Sequence, residues 1–293
     1  MARLSKFSRP ITPAGFLHID EDIEHEDDGN EEPLNEEEKE FGALQLVQRY
    51  AMFNPHTTFI LKPDPSTGKG KLVYKATDPS WKKWKPNNPM SAHWYNADRL
   101  RSLIAAYLAN ERRGGRVLTV REFIENFRGL TGTGKQKKVT EDSDLHGKSL
   151  SDMVKDSEIA KHEDLLDAMQ KHSKPVPAGL LGTIGKEHIV TRMAADHNVS
   201  PESIKYKKIM SQDAAEPHVL EMAFGVFNPE HEAEHGEVIC GLNWSPTIGT
   251  PIPEFNRILG EMRIDRSDPV CVVMHIARPR FDFTDRGKST IAI

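Results

Sequence analysis

Hydrophobic residues recur at helical spacing in the first half of the chain and in short strand-like runs in the second half. Apolar side chains that return every three or four residues predict helices at 41–53, 97–110, 119–127, 161–172 and 253–262. Runs rich in β-branched and aromatic residues predict strands at 57–62, 72–76, 218–227, 237–244 and 270–276. The chain is therefore expected to be α+β, with a mostly helical first half and a β-rich second half.

An acidic segment precedes the first predicted helix. Residues 20–40 hold 13 acids and one lysine, a net charge of −12, so the other residues carry +7 of the total charge of −5. This segment has too few apolar side chains to offset the entropy lost on ordering, so residues 1–40 are predicted to form a disordered acidic tail. The mildly basic remainder is compatible with a polyanionic partner.

Two cysteines and the lack of long apolar runs indicate the compartment. Cys240 and Cys271 both lie in strand-like apolar runs, which favours buried thiols in a reducing environment over a disulfide. No apolar run approaches the roughly 18 residues needed to cross a bilayer, and the basic N-terminus lacks the apolar core of a signal peptide. We expect a cytoplasmic protein that does not bind or span a membrane.

The sequence HEAEH at 231–235 matches the zinc-peptidase pattern H-E-x-x-H. That chemistry requires a helix on which both histidines share a face, with the glutamate as general base. Here Asn228-Pro229 and Gly236 enclose a short polar segment between two predicted strands, and no third ligand stands out. We therefore expect a solvated acidic loop, and we assign no catalytic, cofactor-binding or metal-binding residue.

The sequence GLTGTGK at 129–135 fits the glycine pattern of a P-loop. A P-loop follows a strand and carries Ser or Thr after its lysine, whereas a predicted helix precedes this segment and Gln136 follows it. We interpret it as a glycine turn between two helices, followed by a basic run. Glycine amides and lysines suit a DNA backbone, and a merely solvated turn is an equally good alternative. The candidate DNA-contacting residues are Arg128, Lys135, Lys137 and Lys138.

The sequence WKKWK at 81–85 interleaves aromatic and basic residues. Such a pattern could stack on unpaired nucleic-acid bases. Because prolines surround it, we favour tryptophans that hold an irregular segment against a core.

Four segments, in order, resemble the B subunit of DNA topoisomerase VI and its bacterial relatives. LVQRYAMFNPHTTFIL (46–61) resembles the end of the family's GHKL-type ATPase domain, and residues 89–139 resemble its helix-two-turn-helix insert. PVPAGLLGTIGKEHI (175–189) resembles the link into the transducer domain, and residues 217–293 resemble the transducer itself.

The resemblance implies a division of the chain into four parts. An acidic tail over 1–40 precedes a remnant of the ATPase domain over 41–77. A helix-two-turn-helix-like domain over 78–174 is followed by a ribosomal S5 domain 2-like α/β transducer over 175–293, which is expected to be incomplete.

The resemblance also implies a function. In this ATP-dependent isomerase family, ATP and Mg²⁺ close a B-subunit dimer, and the transducer couples that closure to duplex DNA cleavage by an A-type subunit. The expected partners are therefore DNA, an A-type subunit and a second copy held through the ATPase domain.

This sequence departs from the family at the ATP site. The family's nucleotide motifs lie upstream of the segment matched by Leu46, and the loop at 245–259 has no lysine where the family places a switch lysine. We therefore expect a truncated or naturally short form with no cofactor of its own that does not hydrolyse ATP alone. The alternative is a non-enzymatic DNA-binding or adaptor protein that retains the transducer scaffold.

Overall fold

The computed structural model confirms a mixed α+β protein. It describes residues 36–62, 70–84, 89–155, 159–211, 217–230, 236–247, 249–252, 254–261, 263–265, 267–284 and 290–291. The helices are α1 Glu36–Phe53, α2 Ala97–Arg112, α3 Val120–Ile124, α4 Thr133–Asp142, α5 Leu150–Lys155, α6 Ile159–His172, α7 Lys186–Asp196 and α8 Phe255–Glu261. The strands are β1 Phe59–Leu61, β2 Leu72–Tyr74, β3 Lys205–Met210, β4 Val219–Val226, β5 Glu237–Leu242, β6 Ser245–Pro246 and β7 Val270–Ala277.

Helices α2 to α6 form a helical unit around one apolar core. Helix α2 buries Leu100, Ile104 and Leu108, which lie four residues apart and therefore share one face. A capping box of Thr119 and Glu122 starts α3. The rings of Phe123 and Phe127 then meet edge to face, 5.4 Å apart, at the centre of this core.

A five-stranded sheet with the order β3-β4-β7-β5-β6 forms the sheet unit together with α1, α7 and α8. Its neighbouring strands are antiparallel except β5 and β7, which run parallel. Successive side chains alternate between two faces, so the sheet lies between two cores. One core includes residues of α1 and α7, and the other includes Phe255 of α8.

The end of α1 is fixed to the sheet by a close contact and by a buried histidine. Phe53 lies flat on Gly241, where an added Cβ would come within 2.7 Å of its ring. His188 Nε2 lies 3.1 Å from the Ala51 carbonyl and 2.9 Å from the Met52 carbonyl. Because carbonyls only accept, Nε2 carries the proton, and Nδ1 accepts from the Thr77 hydroxyl. Burial lowers the pKa of His188 from 6.5 to about 4, which keeps the ring neutral.

A second buried network joins the segment before α7 to the sheet. The Glu221 carboxylate is fully buried and accepts from the backbone N–H groups of Ile184 and Gly185, each at 2.8 Å. It also accepts from the Tyr206 hydroxyl at 2.7 Å and from His275 Nδ1 at 3.3 Å. Every donor favours the ionised carboxylate, and the pKa of Glu221 is lowered although burial opposes that shift.

Some elements differ from those predicted. Helix α1 begins at Glu36 rather than at residue 41, because glutamates are good helix formers and their charge suits a helix N-terminus. Residues 1–35 of the predicted acidic tail lie outside the described part. Helix α4 begins at Thr133, within the predicted glycine loop. Helix α7 and strands β3 and β6 are not among the predicted elements, and β6 lies in the loop expected at 245–259.

The two cysteines are free and buried, as predicted. Cys240 belongs to the core beside α8 and Cys271 to the core beside α1, so they lie on opposite faces of the sheet. Burial raises the pKa of Cys240 to about 12 and also raises that of Cys271, so both are unreactive thiols. Within the described residues, none of the helices is both long and apolar enough to cross a membrane.

Candidate nucleic-acid interface

The glycine turn between α3 and α4 is held by hydrogen bonds to its own carbonyl groups. Gly129 has a φ of +80°, a left-handed conformation that glycine adopts without strain, and it is followed by the buried Leu130. Lys135 Nζ donates to the Gly129 carbonyl at 2.9 Å, and Gln136 Nε2 donates to the Thr131 carbonyl at 3.1 Å. The turn is therefore preformed.

This geometry differs from that of a nucleotide P-loop. Helix α3 precedes the turn, and Gln136 is buried and bonded to the turn itself at the position where a P-loop has its Mg²⁺ ligand. The interpretation as a glycine turn between two helices is confirmed.

The amino-terminal end of α4 carries a concentration of positive charge. Gly132 is the N-cap and has no side chain to bond the first amides of the helix, which leaves them suited to an anion. Lys135 and Lys138 are both exposed on this helix. Arg128 is exposed as well, and its backbone N–H donates to the Met90 carbonyl at 2.7 Å, which fixes its place at the start of the turn.

The four candidate residues differ in how far their positive charges are already paired. Lys137 Nζ lies 3.5 Å from Glu141 Oε1, one turn along α4, so its charge is partly neutralised. Lys135 is partly engaged by the Gly129 carbonyl. Lys138 and Arg128 have the exposed charges best placed for an outside partner.

One further basic residue at this site is not among the predicted candidates. Arg121 of α3 donates from Nη2 to the carbonyl of Thr133, the first residue of α4, at 3.2 Å. Its position two residues after the N-cap of α3 gives no sign of this contact, because the connection between the helices decides it.

The carboxyl-terminal end of α4 is acidic, and its aspartate is paired with basic side chains. Asp142 lies 2.7 Å from Lys171 Nζ and 2.9 Å from His172 Nε2, both at the end of α6. The hydrogen bond from Lys171, followed by that from His172, lowers the pKa of Asp142. The carboxylate of Asp142 is therefore paired with basic side chains of α6.

The residues of the WKKWK segment make different kinds of contact. Trp81 donates its indole N–H to the Thr183 carbonyl at 2.5 Å and stacks on His56, so it fastens the segment to the sheet unit as predicted. Lys83 lies 5.8 Å from the centre of the Trp244 ring. Trp84 meets Trp94 edge to face and lines a cavity described below. Lys85 is outside the described residues.

The HEAEH sequence at 231–235 also lies outside the described residues. Elsewhere, the described residues contain no group of three or more His, Cys, Asp or Glu side chains that could hold a metal ion. The expectation of a loop without zinc therefore stays a prediction.

Comparison with known proteins does not place the chain in a family. No model of a known protein family matches it, and no curated protein matches it either.

Proposed function

We propose that this chain is a DNA-contacting and motion-relaying part of a topoisomerase VI B-type subunit and does not itself hydrolyse ATP. In this proposal the helical unit corresponds to the helix-two-turn-helix domain and the sheet unit to the S5-like transducer. Duplex DNA and an A-type subunit are its partners, and ATP and Mg²⁺ act only in the complete assembly.

The observation that carries the DNA contact is the polarity of α4. Its start has no side-chain cap, Arg121 bonds the carbonyl of its first residue, and Arg128 and the lysines are exposed. The acids at its far end pair with basic side chains. Backbone amides and basic side chains at a helix start suit phosphate oxygens, and such contacts position a duplex without reading its sequence.

The attachment of α1 supports the relay. The segment that resembles the end of an ATPase domain is seated on the sheet by Phe53 and by His188. Asn54 adds a hydrogen bond from Nδ2 to the Trp244 carbonyl at 2.9 Å. A displacement of α1 would therefore move the sheet with it rather than slide over it, since packed interfaces deform little.

Salt-dependent binding of a labelled DNA duplex to the full chain tests the contact. Replacing Lys135, Lys137 and Lys138 by Ala should weaken binding to all duplexes alike and flatten the slope of log affinity against log salt by about 0.9 for each lysine that touches a phosphate. Since Lys137 is paired with Glu141, Lys138→Ala alone should remove more of the slope than Lys137→Ala alone.

A matched control separates this site from general charge. Lys205, Lys207 and Lys208 of β3 are also exposed, so their triple alanine variant removes the same charge elsewhere on the surface. An equal loss of affinity in both triple variants, measured by fluorescence anisotropy, would contradict a specific role for α4.

The adaptor alternative shares the DNA contact and differs in partner. A B-type subunit part should co-purify with an A-type subunit from the same genome when the two are co-expressed. DNA binding without such a complex would favour the adaptor.

A further inference from the structure

A cavity of about 820 Å³ lies where the helical unit meets the chain after β7. One wall comes from Trp84, Met90 and the residues that lead into α2, and the other from residues 278–282. Small-molecule sites typically have volumes of roughly 300–1,000 Å³, so the cavity is large enough for a ligand rather than for a few waters. Neither the proposed DNA contact on α4 nor the attachment of α1 uses it.

The inner part of the cavity is aromatic and apolar. Trp84 and Trp94 meet edge to face with their ring centres 5.7 Å apart. Trp94 is 9% exposed and its indole nitrogen is buried with no hydrogen-bond partner among the described residues, whereas Trp84 is only half-buried. Met90 and Leu103 complete this floor. A half-buried indole at a cavity wall offers a surface on which a flat ring can stack.

The outer part of the cavity is a rim of arginine and aspartate side chains. Asp282 accepts from Arg99 Nη2 at 2.9 Å and from Arg280 Nε at 2.8 Å. The side chains of Arg280 and Asp282 are 52% and 47% exposed, so this rim faces solvent. Arg278 lies on the same wall. Asp98 also lines the rim but pairs with Arg101 at 2.6 Å.

Asp282 occupies a position between two guanidinium groups, and such a position suits an anion. A guanidinium presents a planar fork of donors that fits the oxygens of a carboxylate or a phosphate. A phosphate group carries more negative charge than a carboxylate, so it can replace the Asp282 carboxylate between the guanidinium groups of Arg99 and Arg280. The exposed rim allows that exchange without unfolding the floor.

We propose that this cavity binds one unstacked nucleotide, with its base against Trp84 and its phosphate at Arg99 and Arg280 in place of Asp282. An aromatic floor behind a cationic rim suits a ligand that joins a flat ring to an anion. Single-stranded nucleic acids are bound in the same way, by aromatic stacking and basic side chains with little dependence on sequence. This inference is independent of duplex binding at α4.

The experiment uses the full chain, fluorescein-labelled dT12 and free dTMP. We expect dT12 to bind and dTMP to compete with it. Trp84→Leu removes the stacking surface and Arg280→Ala removes a phosphate donor, so each should weaken binding by roughly tenfold. Asp282→Asn should tighten binding severalfold, because it removes the carboxylate that competes with the phosphate.

An ion pair on α8 provides matched controls. Arg257 and Glu261 pair one turn apart outside the cavity, so Arg257→Ala and Glu261→Gln make the same charge changes elsewhere. Neither control should change dT12 affinity. Arg280 is half-exposed, so its alanine variant should keep the fold, and circular dichroism with urea unfolding checks this for every variant.

The outcomes distinguish a free nucleotide from one within a strand, and they show whether the proposal holds. Competition by dTMP supports a site for a free nucleotide. Binding of dT12 that dTMP does not compete with supports a site for a nucleotide within a strand. Binding that ignores Trp84→Leu and Arg280→Ala, or no binding of either probe, would overturn the proposal. So would displacement of dT12 by a polyglutamate peptide but not by dTMP, since an anion without a ring would then be the ligand. The α4 triple alanine variant should leave dTMP competition unchanged, so failure of the duplex contact is distinguishable.

Discussion

The two units of the molecule satisfy their buried polar groups in different ways. In the sheet unit, Glu221, His275 and His188 connect segments that are far apart in sequence, and each must keep one protonation state. In the helical unit, Gln136, Thr140 and Ser143 are neutral and bond to backbone carbonyls within five residues. The sheet unit therefore depends on charge state and on long-range contacts, whereas the helical unit depends on apolar packing.

Two optical signals report on the two units to different extents. All four tryptophans lie in or against the core of the sheet unit beside α1, so tryptophan fluorescence reports on that unit. The far-ultraviolet circular dichroism signal is dominated by helices, most of which belong to the helical unit.

Removal of the buried carboxylate should cost the most stability. Glu221→Leu leaves two backbone N–H groups, a hydroxyl and an imidazole N–H without an acceptor, so it should destabilise the sheet unit by about 3–5 kcal/mol. Thr140→Val, at an equally buried position of α4, should cost only about 1 kcal/mol. Urea unfolding followed by both signals measures the two losses of stability. Equal losses would show that the two units do not differ in their dependence on buried charge.

Acid should weaken the sheet unit before the helical unit. His188 has a pKa of about 4 when folded and an ordinary value of 6.5, so between these values the unfolded state binds more protons. Its contribution is complete above about pH 6.5 and is lost as the pH falls towards 4, which amounts to roughly 3 kcal/mol. His275 is buried neutral and shifts the same way.

The measurement is urea unfolding by tryptophan fluorescence at pH 7.5 and pH 4.5. His188→Gln can still donate to the Ala51 and Met52 carbonyls without titrating, so its stability should depend less on pH. A variant with the same pH dependence as the wild type would mean that other groups cause it.

The contact between α1 and the sheet should respond to a single methyl group. An added Cβ at Gly241 would lie 2.7–2.8 Å from the Phe53 ring, so Gly241→Ala should cost about 1–3 kcal/mol by overpacking. Phe53→Leu makes room, so the double variant should lose less than the sum of the two single variants. Strict additivity in urea unfolding would show that the two residues do not share this contact.

The smallest expected effect is that of zinc. The HEAEH sequence lies between β4 and β5 along the chain, so a bound metal should stabilise the sheet unit. With two histidines and no evident third ligand, we expect zinc not to raise the unfolding temperature measured by fluorescence. Stoichiometric zinc that survives dialysis and is absent from His231→Ala would contradict the prediction.

Much of the fold follows from periodicity. Helices α2 and α6 and strands β4, β5 and β7 are predictable because their apolar residues repeat clearly and face a core. Helix α4 gives a weaker signal because Val139 is its single buried apolar residue. Strand β3 escapes prediction because its side chains are mostly exposed on both faces and Tyr206 alone is partly buried.

The proposed DNA contact and the cavity also differ in how far the sequence predicts them. The lysines of α4 are predictable because charge is visible in the sequence, but the pairing of Lys137 and the contact of Arg121 depend on which helices meet. The cavity could not be predicted, since Arg99 and Asp282 stand 183 residues apart and only the packing of the two units joins them.

Strand β3 has a consequence for how the protein behaves at high concentration. It is the last strand on its side of the described sheet, so one row of its backbone groups is open to pairing with another molecule. Its side chains include Lys205, Lys207 and Lys208, together with the exposed Ile209 and Met210. Like charges repel when two such edges approach, and lysines on edge strands protect against aggregation in this way. Neutralising the three lysines should therefore leave the unfolding free energy nearly unchanged and lower the concentration at which the protein precipitates.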